Sequence, residues 1–290
     1  MVAGVAAALI YGGQFVATRW SLVGALTPWD LAALRFGVAG PLLLPILARH
    51  GFADAAGIGW GRALVLGIVA GAPYTLILYA GLALAPAGHG AVIVTGATPL
   101  VSTLLLWLRF GDRPSPARLI GLPLILVGLA FVSWSGPTAG SAWLGDALFA
   151  LDATLWGLFT VLARHWRIDP LRGTAVVWSL ALVYLPIYFA FRGAWLLAAP
   201  RGEVLFQAVY QGLGVAIAAL ALYAFAIRVL GSSVASLFMP LVPLCGVLLA
   251  IPVLGEIPAP IQRLGVVGVT VGMVLSAGLR LRASERRTSA

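Results

Sequence analysis

The chain has 290 residues, 61% of them apolar and 9% charged, with a mean hydropathy of +1.04 and a formal charge of +9. Soluble domains carry about 25% charged residues, so a water-soluble globular protein is excluded and a polytopic membrane protein remains. All eighteen basic residues are Arg and Cys245 is the one cysteine, which excludes a Walker A ATPase, a lysine Schiff base and an internal disulfide.

The first apolar run, Val2 to Val16, has no basic residue ahead of it and reads as a retained helix rather than a cleaved signal. Further spans are expected at 28–48, 62–82, 87–108, 117–134, 144–165, 172–192, 204–228, 232–254 and 260–279. Ten spans of about 20 residues each use about 200 residues, and Gly, Pro and Arg punctuate the short connections. With the N-terminus inside, thirteen of the eighteen Arg residues fall on the cytoplasmic side, from Arg49 and Arg62 to Arg280, Arg282, Arg286 and Arg287. Arg192, Arg201 and Arg263 fall outside. This asymmetry predicts both termini in the cytoplasm and accounts for the charge without a nucleic-acid partner.

The chain repeats itself at an offset near 144. Gly111-Asp112-Arg113-Pro114-Ser115-Pro116 matches Gly255-Glu256-Ile257-Pro258-Ala259-Pro260, Pro99 matches Pro243, and Gly121 and Gly128 match Gly265 and Gly272. Nearer the start of each half the offset is 145, so that Tyr11-Gly12 matches Trp156-Gly157 and Arg19 matches Arg164. Five spans per half is an odd number, so the second copy enters from the opposite side. The expected fold is therefore an all-α polytopic membrane protein of ten transmembrane helices, built as two inverted-topology five-helix repeats. The repeats are expected at 1–136 and 141–282, with a cytoplasmic tail at 283–290. Inverted repeats can exchange conformations around one central site, which is a physical argument for alternating-access transport.

At these motifs the chain resembles the drug/metabolite transporter superfamily in its ten-span form, built from paired EamA domains. The resemblance is carried by Tyr11-Gly12-Gly13-Gln14-Phe15-Val16, Pro28, Arg35, Pro99, Gly111-Asp112, Trp156-Gly157, Pro243 and Gly255-Glu256. Tyr11 stands where relatives usually have Trp, Gln14 where they have a small residue or Asn, and Asp112 where they usually have Glu. The resemblance implies movement of small metabolites, often outward. Within the superfamily the chain is most similar to bacterial amino-acid exporters of the aromatic-amino-acid-exporter type. It implies a multi-pass protein of the bacterial inner membrane, working as a monomeric unit with a small-molecule substrate.

Polar groups inside spans are costly in lipid and mark candidate sites. Tyr11, Gln14 and Thr18 share one face of the first span, and Asp152, Trp156 and Thr160 one face of the sixth. These stripes are expected to face each other across a central cavity. Tyr74, preceded by the helix-breaking Pro73, joins them, as do Thr95, Thr98 and Ser102 on the fourth span and Met239 on the ninth. The Thr and Ser hydroxyls equally suit bonds to their own helices. Asp152 is the acid expected inside a span, about 12 Å from its start, placed to receive an ammonium group or a proton. Arg35 is the deep cation, placed to bind a carboxylate, whereas Arg19 is expected to snorkel outward. Tyr79 and Tyr223 lie nearer span ends, and His89 near the outer mouth. Pro99 and Pro243 are candidate hinges. No His pair has ligand spacing, so neither a metal nor another cofactor is expected.

No His-Glu-x-x-His, Gly-x-Ser-x-Gly or Ser–Lys arrangement is present, so enzyme chemistry has no support. The expected function is secondary transport of small metabolites, with amino-acid export as the finer reading. The alternatives are a channel-like uniporter, or a drug, sugar or nucleoside carrier of the same fold.

Overall fold

The computed structural model describes the backbone of residues 1–134 and 140–288, and side chains up to residue 277 except that of Ser233. The expected tail, 283–290, and the four Arg residues from Arg280 onward lie outside the described side chains. The described residues are helical, without strands.

In the first half, α1 spans Val2–Val23, α2 Pro28–His50, α3 Trp60–Ala70, α4 Ala72–Leu84, α5 Ala87–Phe110 and α6 Pro116–Val132. In the second, α7 spans Ala142–His165, α8 Pro170–Ala181, α9 Tyr184–Ala198 and α10 Arg201–Gln207. A π-helical stretch, Ala208–Ala219, leads into α11, Leu220–Ala235. A short 3-10 turn, Ser236–Phe238, precedes α12, Leu241–Leu254, and α13 runs Pro260–Thr288. Seven of these segments are long and apolar enough to cross a membrane. The pair α8 and α9, bent by 43°, is long and apolar enough only when taken together, as one broken span or a re-entrant loop. The apolar helix α6 has 17 residues, and α1 has 22.

Local chemistry sets the ends. Thr27 and Asp30 form a capping box ahead of α2, with the Thr27 N–H donating to Asp30 Oδ2 at 2.8 Å, and Pro28 occupies the first turn. The repeated loop motif has a structural meaning. Gly111 (φ 71°) and Gly255 (φ 68°) are the left-handed C-caps of α5 and α12. Their N–H groups return to Trp107 O and Ile251 O at 3.0 Å, and those of Asp112 and Glu256 to Leu106 O and Ala250 O. Pro116 and Pro260 then open α6 and α13.

Residues one repeat apart pack reciprocally. A Cβ placed on Gly128 would lie 2.7 Å from Gly265 O, and one on Gly272 2.7 Å from Gly121 O, so α6 and α13 meet backbone to backbone. Gly12 of α1 packs on Cys245 and Gly246 of α12, and Gly157 of α7 packs on Val101 and Ser102 of α5. Gly40 meets Leu182, and Gly37 meets Leu185. Each contact recurs when both partners are shifted by 144 or 145. Small residues allow such approach, which in lipid gains from dispersion rather than from hydrophobic burial.

Two sequence expectations change in detail. The third span breaks at Gly71, and Pro73 sits in the first turn of α4, where its missing N–H costs little. The expected pair of hinge prolines is not symmetric. α5 runs through Pro99 as one helix, whereas the ninth span, which follows the turn at Gly231 (φ 79°), is interrupted before Pro243 by the 3-10 turn. Large apolar side chains such as Leu108, Phe191 and Leu197 stand exposed on outward faces, the pattern of a lipid-facing surface.

Candidate functional site

The centre of the bundle holds a buried polar chain. Arg35 on α2 is 8% exposed, and its Nη1 donates to Tyr79 Oη at 3.2 Å. Its guanidinium stacks over Trp178 at 4.9 Å, and among the described residues its Nε has no hydrogen-bond partner. Tyr79 donates to Gln211 Oε1 at 3.2 Å, and Gln211 Nε2 donates to Thr18 Oγ1 at 2.8 Å and to Gln207 Oε1 at 3.2 Å. Gln207 Nε2 completes the chain on Ala17 O and Ser21 Oγ. Every amide and hydroxyl here has its partner, as buried polar groups require.

Asp152 is the exception. It is fully buried, and among the described residues no side chain meets hydrogen-bond geometry on either carboxylate oxygen. Arg35 and Tyr74 are the polar groups acting on it. An acid and a guanidinium with unused bonding capacity therefore share the interior, where an uncompensated charge is costly. Tyr74 packs on Trp156 at 5.3 Å between centroids, and Trp156 stacks on Phe159 at 5.0 Å.

The structure thus brings together Arg35, Tyr74, Asp152 and Trp156. Tyr11 is part-buried and within electrostatic reach of Arg35 and Tyr223. It makes no ring contact with Trp156 among the described residues; Tyr74 takes that place. Gln14 is buried, and Thr18 is spent on Gln211. The stripe on α1 therefore faces the π-helical segment with its Thr. Thr95, Thr98, Ser102 and Thr160 donate to carbonyls one turn back in their own helices. Met239 is part-buried after the 3-10 turn.

Sequence reasoning missed several groups. Gln207 and Gln211 carry the central chain; two Gln four residues apart inside an apolar run were the available signal. Asp152 is not alone among acids in helices. Asp30 and Asp146 are also buried, because Tyr188 donates to Asp30 at 2.5 Å and His89 Nδ1 lies 2.9 Å from Asp146 Oδ1. Tyr79 is buried rather than interfacial.

Arg19 does not snorkel into solvent. Its Nε donates to Glu256 Oε1 at 3.2 Å, and its Nη1 to Leu82 O at 2.7 Å and Ala83 O at 3.0 Å. Glu256 Oε2 also accepts the Ala87 N–H at 2.7 Å. The repeat-related pair, Arg164 and Asp112, lies at 3.4 Å and is more exposed. Beside each pair is a cavity. One of about 640 Å³ is lined by His89, Trp134, Glu256, Ile257 and Gln262. The other, of about 260 Å³, is lined by Leu106, Asp112, Arg113, Ser115, Arg118 and Arg164.

A helical, lipid-faced bundle with a partly unsatisfied polar centre defines a multi-pass membrane protein with the features of a transporter. The chain belongs to the EamA-like transporter family, whose model matches it twice, at residues 1–134 and 143–278. An uncharacterized transporter of Archaeoglobus fulgidus is 24% identical over 287 residues, covering 96% of this chain and 95% of that protein. The uncharacterized transporter YyaM of Bacillus subtilis is also 24% identical, covering 92% of this chain and 90% of its own length. A second Bacillus subtilis protein, the uncharacterized transporter YwfM, is 30% identical over 196 residues, covering 66% of this chain and 65% of its own. A solved crystal structure superposes with a TM-score of 0.62 at 20% identity, covering 97% of each chain, which shows the fold.

Proposed function

We propose that the chain is a secondary transporter of the bacterial inner membrane, exporting amino acids or related metabolites by alternating access. Ten spans follow if α1, α6 and the bent pair α8–α9 each cross alongside the seven longer segments. In this reading the two family matches are inverted repeats with both termini in the cytoplasm, the Glu256 loop outside and the Asp112 loop inside.

One observation carries the proposal: contacts and ion pairs recur one repeat away, at opposite ends of the bundle. Two such halves can swap conformations. The part-buried Arg19–Glu256 end is the closed one, and the solvated Arg164–Asp112 end the looser one. This reading makes the described state inward-facing.

Arg35 and Asp152 support the amino-acid choice. A zwitterion presents a carboxylate to the free bonding capacity of Arg35 and an ammonium to Asp152, whose polar neighbours are Tyr74 and Arg35. Tyr74 and Trp156 provide an aromatic wall, and Tyr11, Gln14, Thr95, Thr98, Thr160 and Met239 remain candidates for the remainder of the site. Counterflow in proteoliposomes against amino acids, sugars and nucleosides tests this. Saturable exchange of amino acids is expected. Linear, non-exchanging flux would favour the channel reading, and activity with sugars alone would overturn the amino-acid choice.

A further inference from the structure

Three helices meet at one imidazole on the wall of the 640 Å³ cavity. His89 lies in the first turn of α5, Asp146 near the start of α7 and Gln262 in the first turn of α13. His89 Nδ1 is 2.9 Å from Asp146 Oδ1, and His89 Nε2 is 3.0 Å from Gln262 Nε2. The surrounding bonds assign the protons. Gln262 Oε1 accepts the Ala259 N–H at 2.8 Å, so that end of the amide is the oxygen. Gln262 Nε2 lies 3.3 Å from the carbonyl oxygens of Val132 and Trp134, which only accept. The nitrogen is therefore a donor, and His89 Nε2 must accept from it. This geometry fits an imidazole whose Nδ1–H donates to Asp146 Oδ1 and whose Nε2 accepts from Gln262.

We propose that His89, Asp146 and Gln262 form a proton-binding site loaded from the outer solution. A proton added to His89 Nε2 turns an acceptor into a donor facing another donor. Gln262 must then turn its oxygen toward the ring or withdraw. Either movement gives up the Ala259 cap and the bonds to Val132 and Trp134, which fasten the start of α13 to the end of α6. Asp146 stays as the counter-ion, and among the described residues its buried Oδ2 has no partner to compete with the imidazolium. His89 lines the cavity, so the proton does not cross the core.

Few other charges face the cluster. Glu256, on the loop before α13, is engaged by Arg19 of α1 and by the Ala87 N–H. Arg263 of α13 is turned to Pro258 O. α5 and α6 bring no further charged side chain to this end among the described residues, and α7 brings Asp146 alone. The site also lacks a repeat-related copy: Ser233 stands where His89 would recur, and Arg118 where Gln262 would. Proton binding therefore loosens one face only. The direction rests on the orientation proposed above, whereas the proton assignment does not.

Two measurements on the full chain test the site. In nanodiscs, His50→Gln and His165→Gln leave His89 as the only imidazole for nitrogen NMR. The expected spectrum is an Nδ1–H tautomer at high pH that titrates as pH falls. An Nε2–H tautomer, or a ring that stays neutral in acid, would overturn the proposal. In right-side-out vesicles, Val247→Cys in a Cys245→Ser background is labelled by an impermeant maleimide. Labelling, corrected for thiol ionisation, should be about fivefold faster in acid than in mild alkali, and His89→Gln should abolish the difference. The same pH step without His89, or none with it, would overturn the idea. If His89→Gln does not fold, Gln262→Glu serves: it gives the protonated ring an acceptor, so the acid-dependent rise in labelling should be lost with the imidazole still in place, and its persistence would count against the site. Labelling from the cytoplasmic side alone would reject the orientation, with the NMR result standing apart.

Discussion

Arg19 and Glu256 form an ion pair at 3.2 Å, and their repeat-shifted counterparts, Arg164 and Asp112, form another at 3.4 Å. The first pair has side chains 20% exposed and is tied to three further backbone groups. The second is 63% and 54% exposed. They read as two copies of one lock, the first fastened and the second solvated. Charge-assisted bonds contribute about 1.5–3 kcal/mol each, and exposed pairs about 0–1 kcal/mol. In a Cys245→Ser background, Arg19→Gln should therefore raise thiol labelling of the buried Val247→Cys about tenfold or more, while Arg164→Gln changes labelling of the part-buried Leu106→Cys by less than about fivefold. The reverse ranking would remove the lock.

Asp152 and Arg35 should separate the two ends of a zwitterion. Asp152→Asn is expected to abolish counterflow of amino acids but to spare exchange of the matching keto acids. Arg35→Gln is expected to abolish both, since removing one member of a buried charge contact costs about 2–5 kcal/mol. Equal loss with both substrates in both variants would reject the assignment.

Gln211 should be a stability residue. Gln211→Leu leaves Tyr79 and Thr18 without their shared partner. A buried group left unsatisfied costs about 1–3 kcal/mol. The expected outcome is a melting temperature in detergent several degrees lower, with helicity retained below it.

Gly128 and Gly265 should behave as equals. A Cβ on either would lie 2.7 Å or less from the other's carbonyl oxygen. Gly128→Ala and Gly265→Ala should each lower stability by about 1–3 kcal/mol through overpacking. The double variant should cost less than the sum, because one separation of α6 from α13 relieves both. Melting of the three variants tests this.

Pro99 and Pro243 should not be equals. Pro99→Ala restores an interior backbone bond of α5 and is expected to slow exchange between states. Pro243 sits in the first turn of α12, so Pro243→Ala is expected to leave exchange unchanged. Single-molecule distance measurements across the two ends would check both.

Much of the helix plan was legible because apolar runs and Gly, Pro and Arg punctuation are local signals. The repeated loop was legible for the same reason: a left-handed C-cap, an acid and a helix-opening proline occupy consecutive positions at 111–116 and 255–260. The site was half legible. Arg35, Asp152, Tyr74 and Trp156 stood out as polar or aromatic groups in apolar runs. Gln207 and Gln211 were passed over because an uncharged amide signals little until its partners are known.

By itself the sequence determined a helical membrane protein whose halves share one pattern, because hydropathy and caps depend on neighbours along the chain. Only the tertiary structure decided which polar groups are spent and which are free. Thr18 and Tyr79 close on Gln211, Arg19 closes on Glu256, and Asp146 closes on His89, each across 57 to 237 positions of chain. Asp152 is left with Tyr74 and Arg35 as its polar neighbours, and among the described residues neither of its oxygens meets full hydrogen-bond geometry. Pairing over such separations is set by which helix faces meet, and no local pattern encodes it.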